Sequence, residues 1–139
     1  MAFDDLRSFL KALDEQGQLL HIDEEVNAEP DIAAAANATG RIGEGAPALS
    51  FTRIKGFHHA HVVMNTLGSW QNHAIALGLP PNTPVKQQVD EFIRRWDHFP
   101  IAPERRDNPG WAENSVDGEE INLFDILPLF RLNDGDGGF

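Results

Sequence analysis

Residues 5–41 read DLRSFLKALDEQGQLLHIDEEVNAEPDIAAAANATGR, and the order of elements they encode sets the fold class. Asp4 or Asp5 offers an N-cap, after which Leu6, Phe9, Leu10 and Leu13 recur at helical spacing. Gly17 stands where a left-handed glycine closes a helix. Leu19 to Ile22 reads as a short strand. Glu29-Pro30 then opens a second helix, with proline in its favoured first turn and a thin apolar face of Ile32, Ala33 to Ala36 and Ile42. Small alanines let such a helix lie close against a sheet or another helix.

The pattern continues outward from this stretch. Gly43 to Pro47 breaks the second helix. Ala48 to Ile54 and His61 to Asn65 read as strands joined by a turn around Gly56. Ser69 caps a short helix from Trp70 to Leu77, and Gly78 closes it. Pro80, Pro81 and Asn82 make a stiff connection to Thr83-Pro84. The helix that follows carries Val85, Val89, Phe92, Ile93 and Trp96 on one stripe, read as its core-facing side. Residues 103–110 are polar and contain two prolines, as in a surface linker. Trp111 to Val116 is expected to be a strand, followed by a turn at Asp117-Gly118. Helix and strand are mixed along the chain without an internal repeat, so the fold class is α/β, with α+β as the variant.

Composition narrows the functional classes. The chain has 139 residues, 41% of them hydrophobic, which suits one domain with one core. No apolar run approaches the length of a membrane span. The N-terminus MAFDDLRSFL lacks the basic region and apolar run of a signal peptide, so a cytoplasmic location is expected. Without cysteine there is neither a disulfide nor a thiolate zinc site. A formal net charge of −11 argues against nucleic acid and against anionic membrane surfaces. From Asp107 to Phe139 eight residues are acidic and only Arg131 is basic, a pattern that suits a solvated surface or one that meets another domain.

Four clusters invite a chemical reading, and each has a plainer one. In a strand, His59 and His61 of His58-His59-Ala60-His61 share a face while His58 points away; no acidic residue lies close by, so a polar hairpin tip fits better than a metal site. Asp134-Gly135-Asp136-Gly137 starts like a calcium loop, but Gly138 and Phe139 stand where the third ligand and the turn glycine belong. Gly40 to Gly45 lacks the Gly-Lys-Ser/Thr ending of a phosphate loop. Glu104-Arg105-Arg106-Asp107 reads as a solvated charge cluster. No Ser/His/Asp set and no paired carboxylates are legible. The densest apolar segment, Ile121 to Leu132, comes last and needs something to pack on, so the sequence looks interrupted rather than finished. Phe124 and Leu127 are the expected anchors of any partial folding back, with Gly135 to Phe139 mobile or held by a neighbour.

Beyond these physical readings, residues 5–41, the string MNTLGSWQNHAIALGLPPNTPVKQQVDEFIRRW (64–96) and the string NLFDILPLFRLNDGDGGF (122–139) resemble the UbiD family of decarboxylases, most of all the large subunit of bacterial non-oxidative hydroxyarylic acid decarboxylases. The resemblance runs from Asp4 to Phe139. It implies an N-terminal α/β domain over residues 1–100, with 101–139 as linker and approach to a central split β-barrel resembling flavin reductases. It also implies loss of CO2 from phenolic acids such as 4-hydroxybenzoate or vanillate, a reaction reversible in principle. The cofactor implied for the whole enzyme is prenylated FMN, held with manganese and potassium; it carries the hard chemistry while the protein orients it and supplies a proton. The family's Asn, His and Glu metal ligands and its Glu–Arg–Glu network belong to the central domain. No position here matches those motifs, so no catalytic, cofactor-binding or metal-ligating residue is carried over, and this chain alone is expected to be inactive and to hold no cofactor. The implied partners are the rest of the polypeptide, further copies of it, a flavin prenyltransferase and a very small companion subunit. The competing reading is a stand-alone acidic binding or assembly module. A reading frame that continues for a few hundred codons would favour the decarboxylase, and a natural stop after Phe139 would favour the module.

Overall fold

The computed structural model describes residues 3–98, 100, 102–133 and 135–136. Helix α1 spans Leu6–Glu15. Asp5 caps it reciprocally with Ser8: the Ser8 amide donates to Asp5 Oδ1 at 2.7 Å and the Asp5 amide to Ser8 Oγ at 3.3 Å. At the other end Gly17 has φ +65°, and the amides of Gly17 and Gln18 donate to the carbonyls of Asp14 and Leu13. This backbone reversal drops the chain directly into strand β1, Leu19–Ile22.

Asn27 precedes a π-type turn, Ala28–Ile32, that leads into helix α2, Ala33–Ile42. The Asp31 carboxylate accepts from the Asn27 backbone and side-chain amides at 2.8 and 2.9 Å, which fixes the entry to the helix. Strand β2, Ala48–Phe51, runs parallel to β1 with Leu19 opposite Ala48 and Ile22 opposite Phe51. Strand β3, Val62–Met64, runs antiparallel to β2 with Phe51 opposite Val62. Both expected strands are therefore present, but shorter than their sequence pattern suggests. The ladder ends at Phe51, and Ile54 makes isolated bridges to Val26 and Phe57 instead. Gly56, at φ +85°, lies in the connection as expected.

The middle strand β2 is buried along its whole length, which explains its apolar composition. Alternation along it divides the core. Leu49 and Phe51 join Ile32 of the α2 entry and Ile54 in one cluster. Ala48, on the other face, packs with Leu13 of α1 and Ile75. Ile75 belongs to helix α3, Trp70–Ala76. The result is a three-stranded mixed sheet with helices on both faces, a small α/β domain as the sequence implies. No helix among the described residues is long and apolar enough to cross a membrane.

The link from β3 to α3 is held by Asn65, which sits at φ +54° and donates to the Ala36 carbonyl at 2.8 Å and to Thr39 Oγ1 at 2.7 Å. A Cβ on Gly68 would stand 3.0 Å from the Asn65 carbonyl oxygen, so this tight return favours glycine. Ser69 caps α3 through the Asn72 amide, and Glu44 accepts from the Trp70 amide at 2.9 Å. The glycine-rich loop thus gives α3 a second cap. Asn72 is itself fully buried, and neither polar atom of its side chain has a hydrogen-bond partner among the described residues.

Helix α4, Val85–Trp96, forms where the sequence places it, but its apolar stripe is not core. Val85, Val89, Phe92, Ile93 and Trp96 are all exposed, Trp96 at 61%, and the buried residue of the helix is Gln88. Periodicity identifies an apolar face; it does not say what covers it. Here α4 meets the edge of α3, with the Arg95 guanidinium donating to the Leu77 carbonyl.

The strand expected at Trp111 to Val116 is not formed. Gly110–Ala112 makes a single 3-10 turn, and Trp111 is 86% exposed. Among the described residues no strand pairs with this segment, and an extended chain without a partner strand is not stable by itself. A second 3-10 turn, Gly118–Glu120, follows, and a one-turn helix α5, Leu123–Ile126, is capped by Asn122. The chain does fold back on the core, but not through Phe124 and Leu127, which are about half exposed. Pro128 is buried instead, and Phe130 packs against the cluster of Ile32, Leu49, Phe51 and Ile54. The tail expected to be mobile, 135–139, lies mostly outside the described residues.

Candidate functional site

Two concave regions stand out, and both lie where elements meet. The first is a cleft of about 270 Å³ between the entry to α2 and the C-terminal segment, with Glu29, Pro30, Asn37, Arg131 and Asn133 among its walls. Its centre is an ion pair between residues 102 positions apart in sequence. Arg131 Nε donates to Glu29 Oε1 at 2.9 Å, and the Arg131 backbone amide donates to Glu29 Oε2 at 3.2 Å. These bonds from Arg131 hold the Glu29 carboxyl below its ordinary range. Asn37 Nδ2 donates to the Leu132 carbonyl at 2.8 Å. At the far end of the same segment, His59 Nε2 donates to the Ile126 carbonyl at 3.2 Å. Together with Phe130 these contacts make residues 126–132 a strap across α2 and the β2–β3 connection.

The second region is a groove of about 250 Å³ between α3 and α4, lined by Trp70, His73, Leu77, Gln88, Val89 and Phe92. Its walls are largely apolar. The His73 ring lies 5.3 Å from the Trp70 indole, and Phe92 stacks on Trp96 at 5.8 Å. Three of the charged groups on α4 are tied together. Glu91 accepts from Arg94 at 2.7 Å and from Arg95 at 2.8 Å, and those two guanidinium groups hold its pKa down at about 2.

The clusters singled out in the sequence are not brought together. Of the histidines near the hairpin tip, His59 is engaged with Ile126. The Asp136 carboxylate accepts from the backbone amides of Leu132 and Asn133, both at 2.9 Å, and these bonds lower its pKa. Asp134 and Gly137 of the calcium-like run lie outside the described residues. Glu104 and Arg106 form an exposed pair at 3.7 Å. Among the described residues no three metal-ligating side chains converge. Prenylated FMN with its metal needs acidic and imidazole donors converging on a cation, and basic groups available to a phosphate. At the first region Arg131 is engaged with a carboxylate, and no lysine or arginine lines the second, so these two regions do not fit that group and no catalytic step is derived through them.

The strap escapes sequence reasoning, because a contact over 102 residues leaves no local pattern. Its one trace is Arg131 itself, the single cation in the acidic stretch from Asp107 to Phe139.

Comparison with known proteins agrees with the fold. The family model described as the 3-octaprenyl-4-hydroxybenzoate carboxy-lyase N-terminal domain matches residues 10–92. The phenolic acid decarboxylase of Escherichia coli O157:H7 is 82% identical over 139 residues, which cover 100% of this chain and 29% of that protein. The vanillic acid decarboxylase ShVdcCD of Sedimentibacter hydroxybenzoicus, solved in open form with truncated ShVdcD, superposes with a TM-score of 0.87 at 51% identity, over 99% of this chain and 30% of that one. The UbiD-class enzyme HmfF of Pelotomaculum thermopropionicum, solved with prFMN, gives a TM-score of 0.72 at 28% identity over 98% of this chain and 30% of that one. This chain thus spans about three tenths of the length of the proteins it matches. By its match to the family model over most of its length and by its fold, the chain belongs to the UbiD family of carboxy-lyase N-terminal domains.

Proposed function

We propose that this chain is the N-terminal part of a non-oxidative phenolic acid decarboxylase, an enzyme that removes CO2 from acids such as 4-hydroxybenzoate or vanillate. The observation that carries the proposal is 82% identity, from end to end of the chain, to a phenolic acid decarboxylase. The 51% identical vanillic acid decarboxylase, with the same fold over this region, supports it. In this reading residues 1–100 are the N-terminal domain and 101–139 the approach to the next one. Prenylated FMN, manganese and potassium are held beyond the present residues. A small companion subunit and a flavin prenyltransferase complete the system, in the cytoplasm. The Sedimentibacter enzyme, with its ShVdcD component, supports the companion. The HmfF complex supports the cofactor.

The role that falls to this part is mechanical. It offers a sheet braced on both faces, a strap that fixes where the chain leaves the core, and an apolar face on α4. The test is to co-express the complete reading frame with a flavin prenyltransferase and the companion subunit, and to follow CO2 release from 4-hydroxybenzoate and vanillate. Release that depends on the prenyltransferase supports the proposal. A product with no activity on any phenolic acid overturns it.

A further inference from the structure

Helix α4 presents an apolar surface that the described residues leave largely open. Val85, Val89, Phe92, Ile93 and Trp96 are each more than a third exposed, and Trp70 of α3 extends the patch across the groove. Three aromatic rings at roughly half exposure, with the aliphatic side chains between them, amount to several hundred Å² of apolar surface. That is the scale at which a patch on a soluble protein marks a contact site.

Three observations choose the occupant. First, recognition here is apolar: Glu91, Arg94 and Arg95 bond to one another along α4, and the groove beside them is walled mainly by aromatic and aliphatic side chains. Second, a net charge of −11 opposes the approach of a second copy of this chain. Third, the chain spans only about 29% of its relatives, and residues 102–119, which follow α4, are almost all exposed and form neither a strand nor a long helix. A connection of this kind lets what comes after it return to α4 at a high effective concentration, with no need for a second molecule.

We infer that the α4 face, with the α3–α4 groove at its centre, is the seat on which the following part of the same polypeptide docks, an intramolecular interface rather than an oligomeric one. This rests on the decarboxylase reading above. The complete protein, assayed for decarboxylation in the same preparation, is footprinted with hydroxyl radicals, and the oxidation rate of Trp96 is compared with that in the urea-unfolded protein. At 61% exposure an uncovered Trp96 would be protected less than about twofold, while a docked one would be protected about tenfold. The inference requires that protection to persist unchanged over about a hundredfold dilution, since an intramolecular contact is independent of concentration. Protection that disappears on dilution would assign the face to a second copy and overturn the inference. So would a Trp96 that stays open at every concentration in an active enzyme. Loss of decarboxylation alone, with Trp96 protected at all dilutions, would count against the reaction and leave the docking face standing.

Discussion

Glu29 and Arg131 join two parts of the described fold that lie far apart in sequence: Arg131 bonds the Glu29 carboxylate through its Nε at 2.9 Å and its backbone amide at 3.2 Å. The pair joins the turn that leads into α2 to the strap that carries Phe130 onto the core. Its position decides which measurements report on it. Both side chains are partly solvent-exposed, so the pair governs local docking of the strap more than global stability.

Glu29→Gln or Arg131→Ala should therefore speed amide hydrogen exchange in residues 126–132 while leaving exchange in α1 and β2 unchanged. Native-state exchange with mass spectrometry checks this. Equal acceleration everywhere would mean that the strap is integral to the global unfolding unit.

The pH dependence of the strap follows from the direction of the Glu29 shift. Its folded-state pKa lies below the ordinary value of 4.5, chiefly through the Arg131 side-chain hydrogen bond. The contribution of the pair is therefore complete above 4.5 and is lost as the pH falls through the lower, folded pKa. Strap protection, corrected for intrinsic exchange, should be constant from neutrality down to 4.5 and decline below it. A decline that begins well above 4.5 would show that another group controls the strap.

Core and surface substitutions should separate sharply. Phe51→Ala, at a nearly inaccessible site in the middle strand, should cost about 3–5 kcal/mol. Trp96→Ala, at an exposed site, should change the stability of this chain by no more than about 0.5 kcal/mol. Denaturant unfolding measures both. A comparable loss at Trp96 would mean that α4 folds its stripe inward in solution.

Most of the framework is legible locally. Asp5, Gly17, Ser69 and Gly78 mark helix ends, because capping involves residues only a few positions apart. The middle strand can be read because it is short, apolar and preceded by a glycine- and proline-containing break. What local reading misses depends on partners far away in sequence. The stripe on α4 has the pattern of a core face, since periodicity marks an apolar face whether or not the described residues cover it. Trp111 to Val116 has a strand-like composition, yet a strand needs an edge to pair with. Phe124 and Leu127 have the size of anchors, whereas Pro128 and Phe130 hold the place because Arg131 and Asn37 fix the register of the strap.

Asn72 carries a signal that no local pattern reveals. Its side-chain amide is fully buried in α3 and has no hydrogen-bond partner among the described residues. An unpaired buried amide costs about 1–3 kcal/mol, so Asn72→Leu should be neutral or stabilising in a thermal melt. Clear destabilisation would show that the amide is satisfied in solution.

On the proposed reading, this part of the enzyme braces and docks but holds no cofactor. The most direct test mixes the purified 139-residue chain with prenylated FMN and manganese, removes free ligand by desalting, and measures flavin absorbance and manganese in the protein fraction. Neither flavin nor manganese should be retained with the protein. Stoichiometric retention of either would contradict that reading and would place part of the cofactor site within these residues.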